Sequence, residues 1–312
     1  MPSDVYEITA NAKINLFLRV TGKLPNGYHK LYTVMQEIDI HDDLRIEIGG
    51  AAPEIEVICP GRPDIEPEHN LCYKAADRFY SRLKKKYAAE GRYLDIPYTK
   101  VTLTKNIPSE SGMGGGSSDA AAVLVTLQEH FGNPFTEEEL AAVAVNVGAD
   151  VPFFLYGGTC LCEMVGEVIT PLNSMSNIPV VICKPEGGVS TPWCFKAIDS
   201  RPLPEFDQDA YAGFIGELND STSSSKDVFS LLTRDRELLI NDLQSPAIES
   251  VPEIAAIIDR LSASGAAYCA MTGSGSAVFA LFDDQEKAGR AVKQIAEDPS
   301  CSKWTLSLTK TI

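Results

Sequence analysis

Long hydrophobic runs are missing from this 312-residue sequence. The longest, such as Ile178 to Cys183, are interrupted within a few residues, so no membrane-spanning helix is expected. The segment Met1 to Glu7 has no basic stretch followed by an apolar one, which argues against a secretory signal. It is also too short and acidic for a transit peptide. Positive charge is scarce: 27 Lys and Arg stand against 43 Asp and Glu, a formal charge of −16. A nucleic-acid backbone needs a cationic surface, so nucleic acid is excluded as a main partner. The one basic run, Lys84-Lys85-Lys86, closes a predicted helix, where cations offset the macrodipole. Clustered cysteine is lacking too. Of eight cysteines only Cys160 and Cys162 come close, flanking Leu161 on one face of a predicted strand. No second pair or nearby His completes a metal site. Reduced structural thiols in a cytoplasmic protein are the expectation, with no metal ligands assigned and no membrane partner.

What is present has the periodicity of mixed strands and helices. Leu44, Ile46 and Ile48 alternate with charged residues as in a half-buried strand, and Ile55 and Val57 suggest a second strand paired to it in a hairpin. Leu71, Ala75, Phe79 and Leu83 recur every fourth residue, which predicts an amphipathic helix from Asn70 to about Lys86. Val101 and Leu103 mark another strand. Beyond a glycine-rich loop, a helix is expected from Ser118 to about His130. Thr136 and Glu139 form a capping box for the next helix, expected to run to Gly148.

In the second half, Ile178 to Cys183 reads as a strand, and Thr191-Pro192 as an N-cap followed by proline at the first helical position. A helix starts near Ser250 and Pro252. Strands 267–271 and 277–282, a helix 285–296 and a strand 304–308 then follow. Strand, helix, strand, strand, helix, strand is the ferredoxin-like order. That places a domain boundary near 165–177. The serine-rich stretch 220–226 reads as a surface excursion.

The strongest chemical signal is the stretch 108–122, Pro-Ser-Glu-Ser-Gly-Met-Gly-Gly-Gly-Ser-Ser-Asp-Ala-Ala-Ala, between a strand and a helix. Glycines allow positive φ and close approach of a ligand to the backbone N–H groups. A helix beginning near Ser117 points its unpaired amides at the same spot, which suits phosphate. Ser117 and Ser118 add hydroxyls for phosphate or Mg²⁺. The stretch is not a P-loop, since no Lys follows the last glycine, and Ser117 replaces the third glycine of a dinucleotide fingerprint. A plain glycine cap on a helix is the alternative.

The stretch resembles the ATP-binding motif of the GHMP kinases, roughly Pro-x-x-x-Gly-Leu-Gly-(Gly-Gly)-Ser-Ser-x-Ala-Ala. Three other segments agree, in the expected order from residue 12 to 282. Ala12-Lys13-Ile14-Asn15-Leu16-Phe17-Leu18, followed by Gly27-Tyr28-His29-Lys30-Leu31, is similar to the first motif. Asn146-Val147-Gly148-Ala149-Asp150-Val151-Pro152-Phe153 resembles the segment bearing the catalytic aspartate. Residues 271–279, Met-Thr-Gly-Ser-Gly-Ser-Ala-Val-Phe, resemble the glycine-rich third motif. The triple glycine before Ser-Ser-Asp-Ala-Ala is most similar to the branch that phosphorylates 4-diphosphocytidyl-2-C-methyl-D-erythritol.

That resemblance implies an α+β, two-domain GHMP kinase fold. Residues 1–165 would form a ribosomal-protein-S5-domain-2-like α/β domain with the ATP loop, and 166–312 a ferredoxin-like domain. It implies ATP and Mg²⁺, bound by Pro108, Gly112, Gly114, Gly115, Gly116, Ser117 and Ser118. It makes Asp150 and Lys13 the catalytic pair, although Asp150 alone reads as a cap or turn residue and Lys13 alone as a snorkelling lysine. Asn15 shares a strand face with Lys13 and would meet the substrate polyol. Tyr28 and His29 would take the cytosine, with Phe195 completing a stacking sandwich unless it is simply core. Thr191 would touch the diphosphate or only cap its helix. Gly273 and Ser274, with Gly275, would close on the active site or form a plain hairpin turn. One departure stands out: Glu110 lies where small residues are usual, and near phosphates it must face solvent or help hold Mg²⁺. The partner expected is a small molecule, and the chain a monomer or weak homodimer. Kinases for mevalonate, homoserine or a sugar, and a non-catalytic nucleotide-binding regulator, are the alternatives.

Overall fold

A computed structural model describes residues 3–50, 54–62, 70–220 and 225–312. The chain forms two compact units, each discontinuous in sequence. The first comprises Met1–Ala12, Ile40–Ile107 and Gly114–Tyr156; the second comprises Lys13–Asp39, Pro108–Met113 and Gly157–Ile312. Two long strands, β1 (Asp4–Lys23) and β2 (His29–Ile48), pair with each other and supply residues to both units. A tight turn joins them, in which the Leu24 N–H donates to the Tyr28 carbonyl at 2.7 Å and Tyr28 N–H to Asn26 Oδ1 at 3.1 Å.

In the first unit, β2 pairs antiparallel with β4 (Thr99–Thr104), and β3 (Ile55–Ile58) lies parallel to β4. The expected hairpin of Ile55 and Val57 with β2 does not form. With β1 and β4 already on β2, the N–H and C=O groups of β3 find partners at the outer edge of β4 instead. A parallel pair needs a crossover, and helix α1 (Leu71–Ala89) supplies it. Its N-cap Asn70 accepts from Cys72 N–H. The helix buries Ala75, Phe79 and Leu83 as the four-residue spacing predicts, and runs past Lys86, whose ammonium reaches the Pro134 carbonyl at 2.6 Å and Glu139. Helices α2 (Gly115–His130), α3 (Glu137–Val145) and the short α4 (Phe153–Tyr156) complete the layer. The Thr136–Glu139 capping box forms as predicted. Leu44, Ile46, Val101 and Leu103 meet Phe79, Leu124 and Leu127 in the core, each worth about 1.5–3 kcal/mol when fully buried.

In the second unit, β2 pairs with β5 (Thr159–Met164) and β5 with β6 (Val168–Leu172). A separate antiparallel sheet has the order β10-β7-β9-β8, formed by β7 (Pro179–Lys184), β8 (Tyr268–Met271), β9 (Val278–Leu281) and β10 (Thr305–Lys310). With α9 (Glu253–Ala263) and α10 (Gln285–Ala296) this is the ferredoxin-like order read from the sequence. Among the described residues four α-helices are inserted between β7 and α9: α5 (Thr191–Ile198), α6 (Gln208–Asp220), α7 (Ser225–Arg234) and α8 (Gln244–Ser250). Residues 221–224 of the serine-rich stretch lie outside the described residues. At α5 the N-cap is Ser190 rather than Thr191; Thr191 is already helical and Pro192 follows inside the first turn, where its missing N–H costs nothing. All eight cysteines are free, and burial pushes the Cys160 thiol up to about 12. Among the described residues no helix is long and apolar enough to cross a membrane, and no group of three His, Cys, Asp or Glu could hold a metal.

Candidate active site

In the second unit, the segment 108–113 docks on the β8–β9 loop. The N–H groups of Ser276 and Ala277 donate to the carbonyls of Glu110 and Ser111, both at 3.1 Å. Gly112 has φ +74°, and a Cβ there would lie 2.1 Å from the Thr272 carbonyl oxygen. Asn241 fixes the loop from beneath, its amide donating to the carbonyls of Met271 (2.8 Å) and Gly273 (2.9 Å). Residues 273–275 are therefore a hairpin connection and also a docking surface for the glycine segment. Glu110 also has positive φ, and its carboxylate turns onto Gly188. Burial lowers the pKa of Lys184, and the charge of Glu110 opposes that shift. Glu110 is thus exposed and directed toward the Gly188–Lys184 side of its own unit, which accounts for an acidic residue in this loop.

Lys13 is only 2% exposed. It does not snorkel, because both faces of β1 are covered from Ala12 to Val20. Its ammonium donates to Asn15 Oδ1 at 2.6 Å and to the Gly112 carbonyl at 2.7 Å. Asn15 is buried beside it, its amide donating to Thr33 Oγ1 and its backbone N–H to Thr272 Oγ1. Lys13, Asn15, Gly112 and Thr272 thus form one polar knot within an apolar strand layer, where buried polar groups persist because they are bonded.

In the first unit, Gly114 caps α2 in the left-handed region at φ +74°, and no side chain caps the helix. The helix begins at Gly115, ahead of the expected start at Ser117 or Ser118, so its first amides belong to glycines. Gly116 is exposed, Ser117 half-buried, and Ser118 only 3% exposed. Of the two serines, only Ser117 presents appreciable surface. Asp150 is half-buried in the turn between Gly148 and α4, where Val151 N–H donates to the Gly148 carbonyl. A Cβ on Gly148 would lie 3.8 Å from Ser117 Oγ, which puts this turn beside the α2 N-terminus. Under the helix, Lys105 bridges Asp42 and Asp119, while Asp42 Oδ1 accepts from the N–H groups of Asn106 and Ile107. Burial, then the charge of Asp42, pushes the Asp119 carboxyl up to about 7 against the pull of Lys105.

A third cluster lies at the β1–β2 turn of the second unit. Tyr28 is 59% exposed at its tip. The His29 ring stacks on Phe195 with centroids 5.0 Å apart and planes at 22°. His29 Nε2 lies 2.8 Å from Asp199 Oδ1, and Lys23 Nζ reaches the other oxygen. The Thr191 and Ser274 hydroxyls bond each other at 2.6 Å. Tertiary structure adds Asp199, Thr272, Asn241 and the Asp42–Lys105–Asp119 bridge to the residues read from the sequence. Only Asp199 carried a usable signal, since it follows Phe195 by four residues and so shares its helix face.

The chain matches the family model of the GHMP kinases N terminal domain over residues 70–158 and that of the GHMP kinases C terminal over 225–300. It is 39% identical over 283 residues to a 4-diphosphocytidyl-2-C-methyl-D-erythritol kinase of Desulfitobacterium hafniense, covering 90% of this chain and 89% of the relative. The chain belongs to the GHMP kinases. A relative of the same name from Geobacter metallireducens is 37% identical over 95% of each chain. Among solved structures, a 4-(cytidine 5'-diphospho)-2C-methyl-D-erythritol kinase superposes with a TM-score of 0.71 at 30% identity, covering 98% of this chain and 99% of that one. A homoserine kinase from Cytophaga hutchinsonii reaches a TM-score of 0.72 at 18% identity, which shares the fold alone. This GHMP kinase therefore has the two-domain α+β fold of its family and phosphotransferase activity on a small molecule, with nucleotide use implied by that fold.

Proposed function

We propose that this GHMP kinase transfers the γ-phosphoryl group of ATP to the 2-hydroxyl of 4-diphosphocytidyl-2-C-methyl-D-erythritol, a step of non-mevalonate isoprenoid synthesis in the cytoplasm. The observation that carries the substrate assignment is the stacked His29–Phe195 pair with Asp199 at the ring edge. An aromatic and hydrogen-bonding cluster suits a nucleobase, and mevalonate, homoserine or a simple sugar would have no use for it. The relatives named above support the same substrate. The triphosphate fits the uncapped start of α2, whose amides and exposed Gly116 leave the backbone accessible. Mg²⁺ would neutralise charge on the phosphates, with Ser117, the more exposed of the two serines, as one protein contact.

In this reading Asp150 accepts the proton of the attacking hydroxyl while orienting it. Lys13, held by Asn15 and the Gly112 carbonyl, stabilises charge that develops on the transferring group. Asn15, Tyr28, Thr191 and Ser274 contribute polar contacts to the substrate, and catalysis rests on alignment more than on covalent chemistry. An ADP-release assay offering the cytidyl alcohol beside mevalonate, homoserine and galactose tests it. Turnover should be confined to the cytidyl substrate, and fall about 10²–10⁴-fold in Asp150→Ala and 10²–10³-fold in Lys13→Ala. Turnover on another alcohol would overturn the substrate; ATP binding without turnover would favour a regulator.

A further inference from the structure

Asp199 ends α5 one turn after Phe195, so a single short helix carries both the ring that stacks on His29 and the carboxylate that meets its edge. An ionised carboxylate can only accept hydrogen bonds. Lys23 and His29, in that order, lower the pKa of Asp199 and keep it ionised at neutral pH. The 2.8 Å contact therefore requires that Nε2 of His29 carry the proton. In a neutral imidazole the other nitrogen, Nδ1, then bears the lone pair. Among the described residues none bonds Nδ1, and the His29 side chain is 10% exposed, its plane held by Phe195.

We infer that Asp199 is a positioning residue that locks His29 as the Nε2–H tautomer, so that Nδ1 faces the base as an acceptor and selects cytosine over uracil. The inference rests on the reading that a cytidine group binds at His29. Cytosine carries an exocyclic amino group, a donor that Nδ1 accepts. Uracil carries a carbonyl oxygen at that position, which sets two lone pairs against each other. Without Asp199 the ring is free to move its proton to Nδ1 and donate to that carbonyl, so the discrimination weakens. A site arranged for one donor–acceptor pattern rejects the reversed pattern because buried polar groups are left unpaired.

Long-range proton–nitrogen correlation spectra of ligand-free protein read the tautomer directly, and with four histidines in the chain the His29 signals are assignable by substitution. The wild type should show Nε2–H, Asp199→Ala should show exchange between tautomers, and Asp199→Glu should restore the lock. Calorimetric titration with cytidine 5′-diphosphate and uridine 5′-diphosphate should give a preference of about tenfold or more for the cytidine nucleotide, falling to about twofold in Asp199→Ala. A wild type with Nδ1–H, or an Asp199→Ala protein that keeps both tautomer and preference, overturns the role of Asp199 while leaving the cytidine site intact. A wild type with Nε2–H that binds neither nucleotide overturns the cytidine reading and the selectivity together.

Discussion

At Gly112 an added Cβ would lie 2.1 Å from the Thr272 carbonyl oxygen, and at Gly273 2.7 Å from the Gly112 carbonyl oxygen. At Gly116, a few residues along, the nearest atom would be a Leu71 methyl at 3.7 Å, an ordinary contact. Gly115 lies between these extremes, 3.0 Å from Ile107. The same residue type thus serves two purposes. Gly112 and Gly273 are glycines because protein backbone occupies the space of their side chains. Gly116 has room for a methyl group and sits in a helix, where alanine is favoured by about 1 kcal/mol. Its bare backbone has no explanation in packing; in the proposed function it leaves the α2 amides open to phosphate.

The largest effect that would break this contrast belongs to Gly112→Ala. Positive φ and a backbone collision together should lower stability by about 3 kcal/mol in urea unfolding. A loss below about 1 kcal/mol would mean that the β8–β9 loop yields and that the two segments are not rigidly docked. Gly116→Ala should do the reverse. Stability should hold or rise by about 0.5 kcal/mol, while the KM for ATP should rise about tenfold as the methyl group obstructs phosphate. An unchanged KM would remove the functional reading of that glycine.

The smallest effect sharpens the picture under the same helix. The raised carboxyl of Asp119 means that the folded state binds a proton more tightly than the unfolded chain, whose aspartates titrate near about 4. The stability this group contributes is complete below that value and is lost as pH rises through about 7. Asp119→Asn does not titrate, so its stability relative to wild type should improve steadily between pH 4 and 7. A difference that stays flat across this window would show that Lys105 holds Asp119 ionised throughout.

Much of the architecture was legible beforehand wherever burial follows a local period. The four-residue spacing of Leu71, Ala75, Phe79 and Leu83, the capping box at Thr136 and the ferredoxin-like order all carry their information in near neighbours. The misreadings fell where the deciding partner is distant. Alternation at Ile55 and Val57 marks a strand but carries no record of which edge it joins, and β3 went to β4 because β2 had no edge left. At the site, residue type and spacing picked out the glycine loop, while Lys13, His29 and Phe195 stood out only through the resemblance to the GHMP kinases. Neither reading placed Asp199 against His29, 170 residues away in sequence, or gave Glu110 its direction, which depends on Gly188.

The sequence by itself therefore determined the class of chemistry, because the glycine loop before a helix and the three other segments that resemble GHMP kinase motifs are short-range patterns. Tertiary structure decided which glycines are clamped and which are open, which serine is buried, and which carboxylate meets the edge of His29. Those are properties of contacts made across long stretches of chain, where hydrogen bonding and excluded volume act on whatever the fold brings together.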